Sequence, residues 1–246
     1  QRGLNAWGVA DGAGYDHILP GCRSVCVFGS GGTHLWERLL GDLKNHPHHL
    51  TEEDHPLDAY VARVLAEIDP DPGPTRRWIR CASDEPCLVD FRPLALQAGL
   101  GWRSMLGLLI SPEFGPWLGI RAACFTTEEL PTTGPLSGSG PCPSCPAPCI
   151  AACPGEAMSS PPGELGDLGG WNVSRCSEFH QIAELCSTTC HSREACPAGA
   201  IHRYGRTQLR YHSTREIGRV ELAQSLSISD TRRGIGPFWG DWSGHS

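Results

Sequence analysis

Eight cysteines within 55 residues are the feature that most restricts what this chain can fold into. They run from Cys142 to Cys196, while the other five of the 13 cysteines are scattered over the first 124 of the 246 residues. Scattered cysteines usually serve as small buried hydrophobic residues, whereas a dense group with short fixed spacings is typical of a ligand set. We therefore predict that this segment binds metal.

The eight cysteines form two groups of four, and each group ends in a Cys-Pro pair. The two spacings are Cys142-x2-Cys145-x3-Cys149-x3-Cys153-Pro154 and Cys176-x9-Cys186-x3-Cys190-x5-Cys196-Pro197. Runs of this type bind two [4Fe–4S] clusters, and the cysteine before proline ligates the cluster of the other run. Both spacings are longer than the compact form by one or more residues, but the ligand count is unchanged.

The crossover rule assigns four cysteines to each predicted cluster. Cluster one takes Cys142, Cys145, Cys149 and Cys196, and cluster two takes Cys153, Cys176, Cys186 and Cys190. Two alternatives stay open at this point. Four thiolates also suit tetrahedral zinc, although zinc ribbons favour well-separated Cys-x2-Cys pairs. Disulfides would require an oxidising compartment.

Upstream of the cysteines, the pattern predicts alternating strands and helices. We expect strands at residues 4–10, 24–28 and 77–81, and helices at 34–44, 55–68 and 91–98. A stretch rich in Pro, Gly, Ser and Thr at 131–141 predicts a boundary loop. We therefore expect an α+β fold, an α/β sandwich, in residues 1–135 and a two-cluster domain in 136–212. We expect a tail at 213–246 that packs back on the body through Phe238, Trp239 and Trp242.

Charge and hydropathy restrict the compartment and the partners. A net charge of −7 argues against a broad nucleic-acid surface, and so against a tRNA substrate. No apolar run approaches the roughly 20 residues that span a bilayer. The first residues contain no apolar signal-peptide core. We expect a cytoplasmic protein that does not bind membranes.

The order of motifs resembles epoxyqueuosine reductase. An AGLGW box at 98–102 precedes a Pro-x-x-Gly turn at 112–115, a Thr-Thr-Glu-Glu-Leu segment at 126–130 and the two cysteine groups. After the second group, the Arg-Tyr-Gly-x-x-Gln-x-x-x-His segment at 203–212 resembles that of small bacterial proteins described as ferredoxin-like. The resemblance implies a nitroreductase-like α+β domain, shared with reductive dehalogenases and the cobalamin-processing dealkylase, and a C-terminal ferredoxin-like two-cluster domain.

The resemblance also implies a second cofactor, with cobalamin as first choice, and an acidic proton donor. The candidate cofactor-binding residues are Gly31, Gly32, Gly99, Leu100, Gly101 and Trp102. Gly31 and Gly32 follow a strand and could instead form a plain strand-to-helix turn. The position of the Arg92-Pro93-Leu94-Ala95 segment points to Asp84, Glu85 and Asp90 as candidate catalytic acids.

Three functions agree with these features. The first is an oxidoreductase whose clusters pass single electrons to cobalamin or to a small-molecule substrate. The second is a ferredoxin-like protein that serves a partner enzyme without a second cofactor. The third is an interaction domain that metal merely stabilises. The first two imply an electron donor such as a flavodoxin, a ferredoxin or a reductase. The roughly 130 residues before the cysteines favour the first, since a two-cluster ferredoxin needs only about 55–60.

Overall fold

A four-stranded antiparallel sheet organises the computed structural model, which describes residues 2–80, 89–158, 171–182, 184–186, 188–213 and 215–229. Strands β1 to β6 span Ala6–Asp11, Ser24–Gly31, Arg76–Arg80, Trp102–Arg103, Leu109–Ile110 and Leu118–Thr126. Helices α1 to α9 span His34–Asn45, His48–Glu52, Pro56–Ile68, Phe91–Gln97, Pro148–Ala151, Val173–Ile182, His191–Ala195, Arg206–Ser213 and Arg215–Ser225. The sheet order is β1-β2-β6-β3, and β4 and β5 form a separate hairpin.

Helices together with an antiparallel sheet confirm the α+β class. The three predicted strands correspond to β1, β2 and β3, and the three predicted helices to α1, α3 and α4. Strand β6, which lies between β2 and β3 in the sheet, was not predicted as a strand. Its residues 122–125 are all buried, so the sequence lacks the alternation of polar and apolar residues that indicates a half-exposed strand.

One face of the sheet packs against α4. Val25 and Val27 from β2 and Phe125 from β6 are fully buried there, together with Leu94 and Ala95 of the helix. Because Val25 and Val27 are two residues apart, they point to the same face of the strand. This core fixes the sheet and leaves the opposite face for the longer helices.

The opposite face carries α1, α3, α8 and α9. Buried residues of these helices form a second core, with members Leu35, Leu39, Leu43, Val61, Val64, Tyr211 and Leu222. The backbone N–H of Leu57 donates to Tyr211 Oη at 3.2 Å, which ties α3 to α8. The end of the described chain therefore packs against its first half. Phe238, Trp239 and Trp242 lie outside the described residues, and the predicted domain boundaries stay a prediction.

The cysteine segment consists of short helices and 3-10 turns that rest on the β4–β5 hairpin. Met105, Leu106 and Ile110 form a third buried cluster with Cys149 and Met158. The ferredoxin-like character of this segment stays a prediction. Within the described ranges, no helix is long and apolar enough to cross a membrane.

A close backbone approach joins the sheet to the second cysteine group. Gly115 (φ 55°) lies so near Ala198 that a Cβ atom at Gly115 would stand 2.2 Å from the Ala198 carbonyl oxygen. A Cβ at Gly199 would likewise lie 2.3 Å from the carbonyl of Phe114. The Pro-x-x-Gly turn is thus the surface on which the segment after Cys196 rests.

Replacement of Gly115 by alanine tests this contact against a matched glycine. Gly73 has a similar φ of 58° but no atom within 4 Å of a Cβ. We expect Gly73→Ala to cost only the left-handed backbone conformation, about 1–2 kcal/mol. Gly115→Ala should lose roughly 1–3 kcal/mol more through steric overlap. The measurement is the urea unfolding midpoint, and equal losses in the two variants would contradict the close approach.

Candidate metal centre

The structure brings together Cys142, Cys145, Cys149 and Cys196. A 3-10 turn at Cys142–Ser144 and helix α5 position the first three, and Cys196 follows α7. All four line one small cavity of about 20 Å³, which Met105 and Ile110 close from the hairpin side. Cys196 thus lies with the first cysteine group, although it belongs to the second group in sequence.

The other four cysteines line a second and larger cavity. Cys153 follows α5, Cys176 lies on α6, Cys186 ends the 3-10 turn Glu184–Cys186, and Cys190 precedes α7. The cavity has a volume of about 340 Å³. Here Cys153 of the first group lies with three cysteines of the second. The two cavities therefore separate the eight cysteines into the sets that the crossover rule proposes.

The spacing of the sulfur atoms bears on which metal group each set could hold. A tetrahedral zinc ion with Zn–S bonds of 2.3 Å requires sulfurs about 3.8 Å apart. Among the described residues, no three cysteine sulfurs all lie within 4.8 Å of one another. All eight cysteines are also free thiols. No three sulfurs of either set are therefore as close together as the ligands of one zinc ion.

Burial and crowding raise the pKa of six of the eight thiols and so favour their protonated form. Burial, and secondarily the neighbouring Cys190, Cys176 and Cys153, raises the pKa of Cys186 to about 11. The pKa of Cys149 is likewise raised, first by burial and then by Cys196 and Cys142. Because metal binds the thiolate, loading must release these protons and is favoured as the pH rises.

Arg193 connects the second cysteine group to the sheet. Its guanidinium lies 4.6 Å from the ring centres of both Trp117 and Tyr204. Its Nε and Nη2 donate to the carbonyl of Pro116 at 3.0 and 2.7 Å. Since Arg193 lies on α7 between Cys190 and Cys196, this single side chain positions one ligand of each set.

The predicted catalytic acids are only partly described. Asp84 and Glu85 lie outside the described residues. Asp90 is the N-cap of α4, where its carboxylate accepts from the Arg92 backbone N–H at 3.0 Å. It lines neither of the two cavities. Its role as a catalytic acid stays a prediction. Helix capping by itself explains why an aspartate stands at this position.

The predicted cofactor-binding residues lie apart from the cysteine cavities. A Cβ at Gly31 would overlap the Phe114 ring, and a Cβ at Gly101 would lie 2.7 Å from the Ile110 carbonyl oxygen. Gly32 faces His202, Gly99 packs against Thr133, and Leu100 is buried in the sheet core. Trp102 Nε1 donates to the Ser137 carbonyl at 3.2 Å. The boundary loop at 131–141 therefore covers the AGLGW box.

Several residues of the larger cavity were not predicted as site residues. They are Leu106, Arg121, Trp171, Phe179, His180, His191 and His212. Burial lowers the pKa of His180 and so favours its neutral imidazole. The Nε of Arg121 is buried and has no hydrogen-bond partner within the described part of the chain. In the sequence, Arg121 stands between the Pro-x-x-Gly turn and the Thr-Thr-Glu-Glu-Leu segment. This position does not predict that its side chain lines a cavity.

Comparison with known proteins confirms the predicted resemblance. The chain is 39% identical over 109 residues to an epoxyqueuosine reductase of Synechococcus sp. (strain RCC307), over 44% of this chain and 30% of that protein. It is 32% identical over 175 residues to the epoxyqueuosine reductase of Gloeobacter violaceus, over 67% and 48%. The chain thus spans less than half the length of these relatives. No protein-family model matches it.

Solved structures show a shared fold at low identity. Epoxyqueuosine reductase from Bacillus subtilis aligns with a TM-score of 0.53 at 17% identity, over 81% of this chain and 63% of that one. The C. elegans B12-trafficking protein CblC gives 0.52 at 10% identity, over 94% and 92%. An epoxyqueuosine reductase crystallised with an epoxyqueuosine-modified tRNA stem loop gives 0.51 at 15% identity, over 88% and 67%.

Replacement of Arg193 tests its positioning role. Arg193→Met removes two charge-assisted hydrogen bonds and both ring contacts, so we expect a loss of about 2–4 kcal/mol in unfolding free energy. Arg193→Lys should recover little, because an ammonium cannot donate as a planar fork. Arg206→Met, at the exposed start of α8, is the control and should change the unfolding free energy, measured by urea unfolding, by less than about 0.5 kcal/mol. A loss no larger than that of the control would contradict the role of Arg193.

Proposed function

We propose that the chain is an iron–sulfur reductase of the epoxyqueuosine reductase type. It binds two [4Fe–4S] clusters and delivers single electrons to a small molecule or second cofactor. The observation that carries this proposal is the grouping of the eight cysteines around two cavities, with Cys153 and Cys196 exchanged between the groups. The similarity to epoxyqueuosine reductases supports the reaction class.

The protein supplies thiolates and a dry, shaped surrounding for each cluster. Bound clusters would contribute one-electron redox chemistry. In the first set, Met105 and Ile110 give the cavity an apolar side. In the second set, the backbone N–H of Ala157 donates to Cys153 Sγ at 3.3 Å. Because hydrogen bonds to sulfur and burial tune the potential, the two sets should differ in potential.

The larger cavity supports an electron acceptor beside the second set. Its volume of about 340 Å³ is at the low end of the roughly 300–1,000 Å³ found for small-molecule sites. Arg121 and Arg193 add positive charge, and His180 and His212 add groups that can hold or release a proton. These residues suit a small acceptor with a negatively charged or hydrogen-bonding group.

Cobalamin, the first choice for that acceptor, fits the AGLGW box poorly in this conformation. Gly99 packs on Thr133, and Trp102 is held by Ser137. The segment therefore has no open surface for a corrin ring. The shared fold with a B12-trafficking protein is the support for a corrinoid, and we derive no step through it.

A tRNA is also a candidate substrate. The expectation against it rested on the net charge of −7 and is weakened by the neighbour that was crystallised with a tRNA stem loop. Net charge describes the whole chain and does not exclude a local basic surface. Epoxyqueuosine in a stem loop is therefore one of the acceptors to test.

A ferredoxin-like electron-transfer protein is the second candidate. Ile201, in the 3-10 turn Ala200–His202 just after Cys196, is 91% exposed. An exposed apolar side chain close to a cluster ligand suits transient docking of a redox partner. The donor could be a flavodoxin, a ferredoxin or a reductase, and the same surface could serve an enzyme that receives the electrons.

The crossed ligand sets can be tested by cysteine substitution. After anaerobic reconstitution, the unaltered chain should hold about eight irons. Cys196→Ala and Cys142→Ala should lose the same cluster, seen as loss of the same electron paramagnetic resonance signal. Cys153→Ala should instead match Cys186→Ala. Cys124→Ala, in β6, is the control and should retain both clusters. If Cys196→Ala matches Cys186→Ala, the crossing is wrong, and zinc without iron would overturn the proposal.

The acceptor can be tested with the reduced, cluster-loaded protein. We expect oxidation of the clusters on addition of an epoxyqueuosine-containing stem loop, with a rate that falls at least about tenfold in Arg121→Met. Hydroxocobalamin is added in a parallel reaction. A changed corrin spectrum on mixing would identify cobalamin as a ligand. Intact clusters that respond to neither compound, but exchange electrons with a flavodoxin, would favour the ferredoxin-like alternative.

A further inference from the structure

A second, separate group of metal-binding side chains lies where α1 meets α2. Asp42, His46 and His49 each present a ligand atom, and the three atoms all lie within 4.8 Å of one another. His49 Nδ1 is 2.8 Å from Asp42 Oδ2, and His46 Nδ1 is 3.5 Å from Asp42 Oδ1. In the described part of the chain, no other set of three His, Cys, Asp or Glu residues has this property.

The local backbone creates this arrangement. Helix α1 ends at Asn45, and the N–H of His46 donates to the Asp42 carbonyl at 2.8 Å as the helix closes. Pro47 is the N-cap of α2, and this helix places His49 beside the last turn of α1. The Asp42 and His49 side chains are only 16% and 17% exposed, whereas that of His46 is 53% exposed. Two of the three donors are thus held in place by packing.

We propose that Asp42, His46 and His49 form a binding site for a divalent transition-metal ion of the Zn²⁺ or Co²⁺ type. Metal bonds of about 2.0–2.2 Å to nitrogen and oxygen place neighbouring ligand atoms about 2.9 Å apart in octahedral and 3.4 Å in tetrahedral coordination. The N···O distances of 2.8 Å to Oδ2 and 3.5 Å to Oδ1 are of the size of these edges, and an ion bound here would replace the hydrogen bond between His49 Nδ1 and Asp42 Oδ2. Two imidazoles and one carboxylate are a donor set for such ions and leave positions for water.

Arg63 is the main feature that opposes a cation here. Its Nη2 lies 2.9 Å from Asp42 Oδ2, and its Nη1 bonds Glu53. The Glu53 carboxylate offsets part of the positive charge. The bond to Oδ2 also fixes the Asp42 carboxylate, so that Oδ1 faces His46. Arg63 therefore orients the Asp42 carboxylate, and such hydrogen-bonded partners are usual for carboxylates that bind metal. Its positive charge also lowers the affinity of the site for a cation.

The site differs in chemistry from the cysteine sets. It offers nitrogen and oxygen, whereas the cysteine sets offer sulfur, so hard and borderline ions should favour it over thiophilic ones. An ion there would join the end of α1 to α2. The inference does not depend on the proposed reductase function.

Cobalt titration of the cluster-loaded, anaerobic protein tests the proposal. Co²⁺ bound by nitrogen and oxygen gives weak visible bands without a sulfur-to-cobalt charge-transfer band. We expect a single Co²⁺ per chain, displaced by Zn²⁺, and a higher melting temperature with the metal. His46→Ala and His49→Ala should each weaken binding by about tenfold or more. His48→Ala removes an adjacent exposed imidazole and should change the affinity less than about twofold.

Three results would overturn the site. One is the absence of Co²⁺ binding, and another is a sulfur charge-transfer band, which would assign the ion to cysteines. The third is equal weakening in His46→Ala and His48→Ala, which would indicate diffuse attraction to exposed histidines. Because His46 is half-exposed, its variant should stay folded. An unchanged far-ultraviolet circular dichroism spectrum and an unchanged iron content would show this directly.

Discussion

The contact between the Phe114–Gly115 turn and the Ala198–Gly199 backbone holds the two halves of the described chain in one arrangement. Gly115 and Gly199 allow the backbones to meet, and Arg193 fixes the same junction by donating to Pro116 and packing between Trp117 and Tyr204. Cys196 lies between these attachment points in sequence. Its position beside Cys142 therefore depends on how the second cysteine group rests on the sheet.

Because of this dependence, the grouping of the eight cysteines was easier to predict from the sequence than the surroundings of each group. The crossing of Cys153 and Cys196 follows from a general rule for paired cysteine runs, and the two cavities group the residues in the same way. The predicted helices α1, α3 and α4 had clear periodicity or strong terminal signals. In contrast, β6 is buried over four consecutive residues, so its sequence lacks the alternation that indicates a strand.

The glycine-rich motifs show the limit of motif reasoning. The sequence predicts that a cofactor approaches the backbone at Gly31, Gly99 and Gly101. In the structure, Phe114, Thr133 and Ile110 occupy that space. Close packing within the chain therefore explains why glycine stands at these positions. Conversely, His180 of α6 and Arg121 of β6 both line the larger cavity, and no local spacing in the sequence links these two residues.

The difference between the two cavities indicates a direction of electron transfer in the proposed reductase. Both are lined by four cysteines, yet one measures about 20 Å³ and the other about 340 Å³. On the proposed function, a cluster would fill the part of the larger cavity between its cysteines, and an acceptor would take the part beside Arg121 and the histidines. The first set has little space but lies close to the exposed Ile201. On the proposed function, electrons would therefore enter near Cys196 and leave near Cys176, where Arg121 and the histidines surround the acceptor.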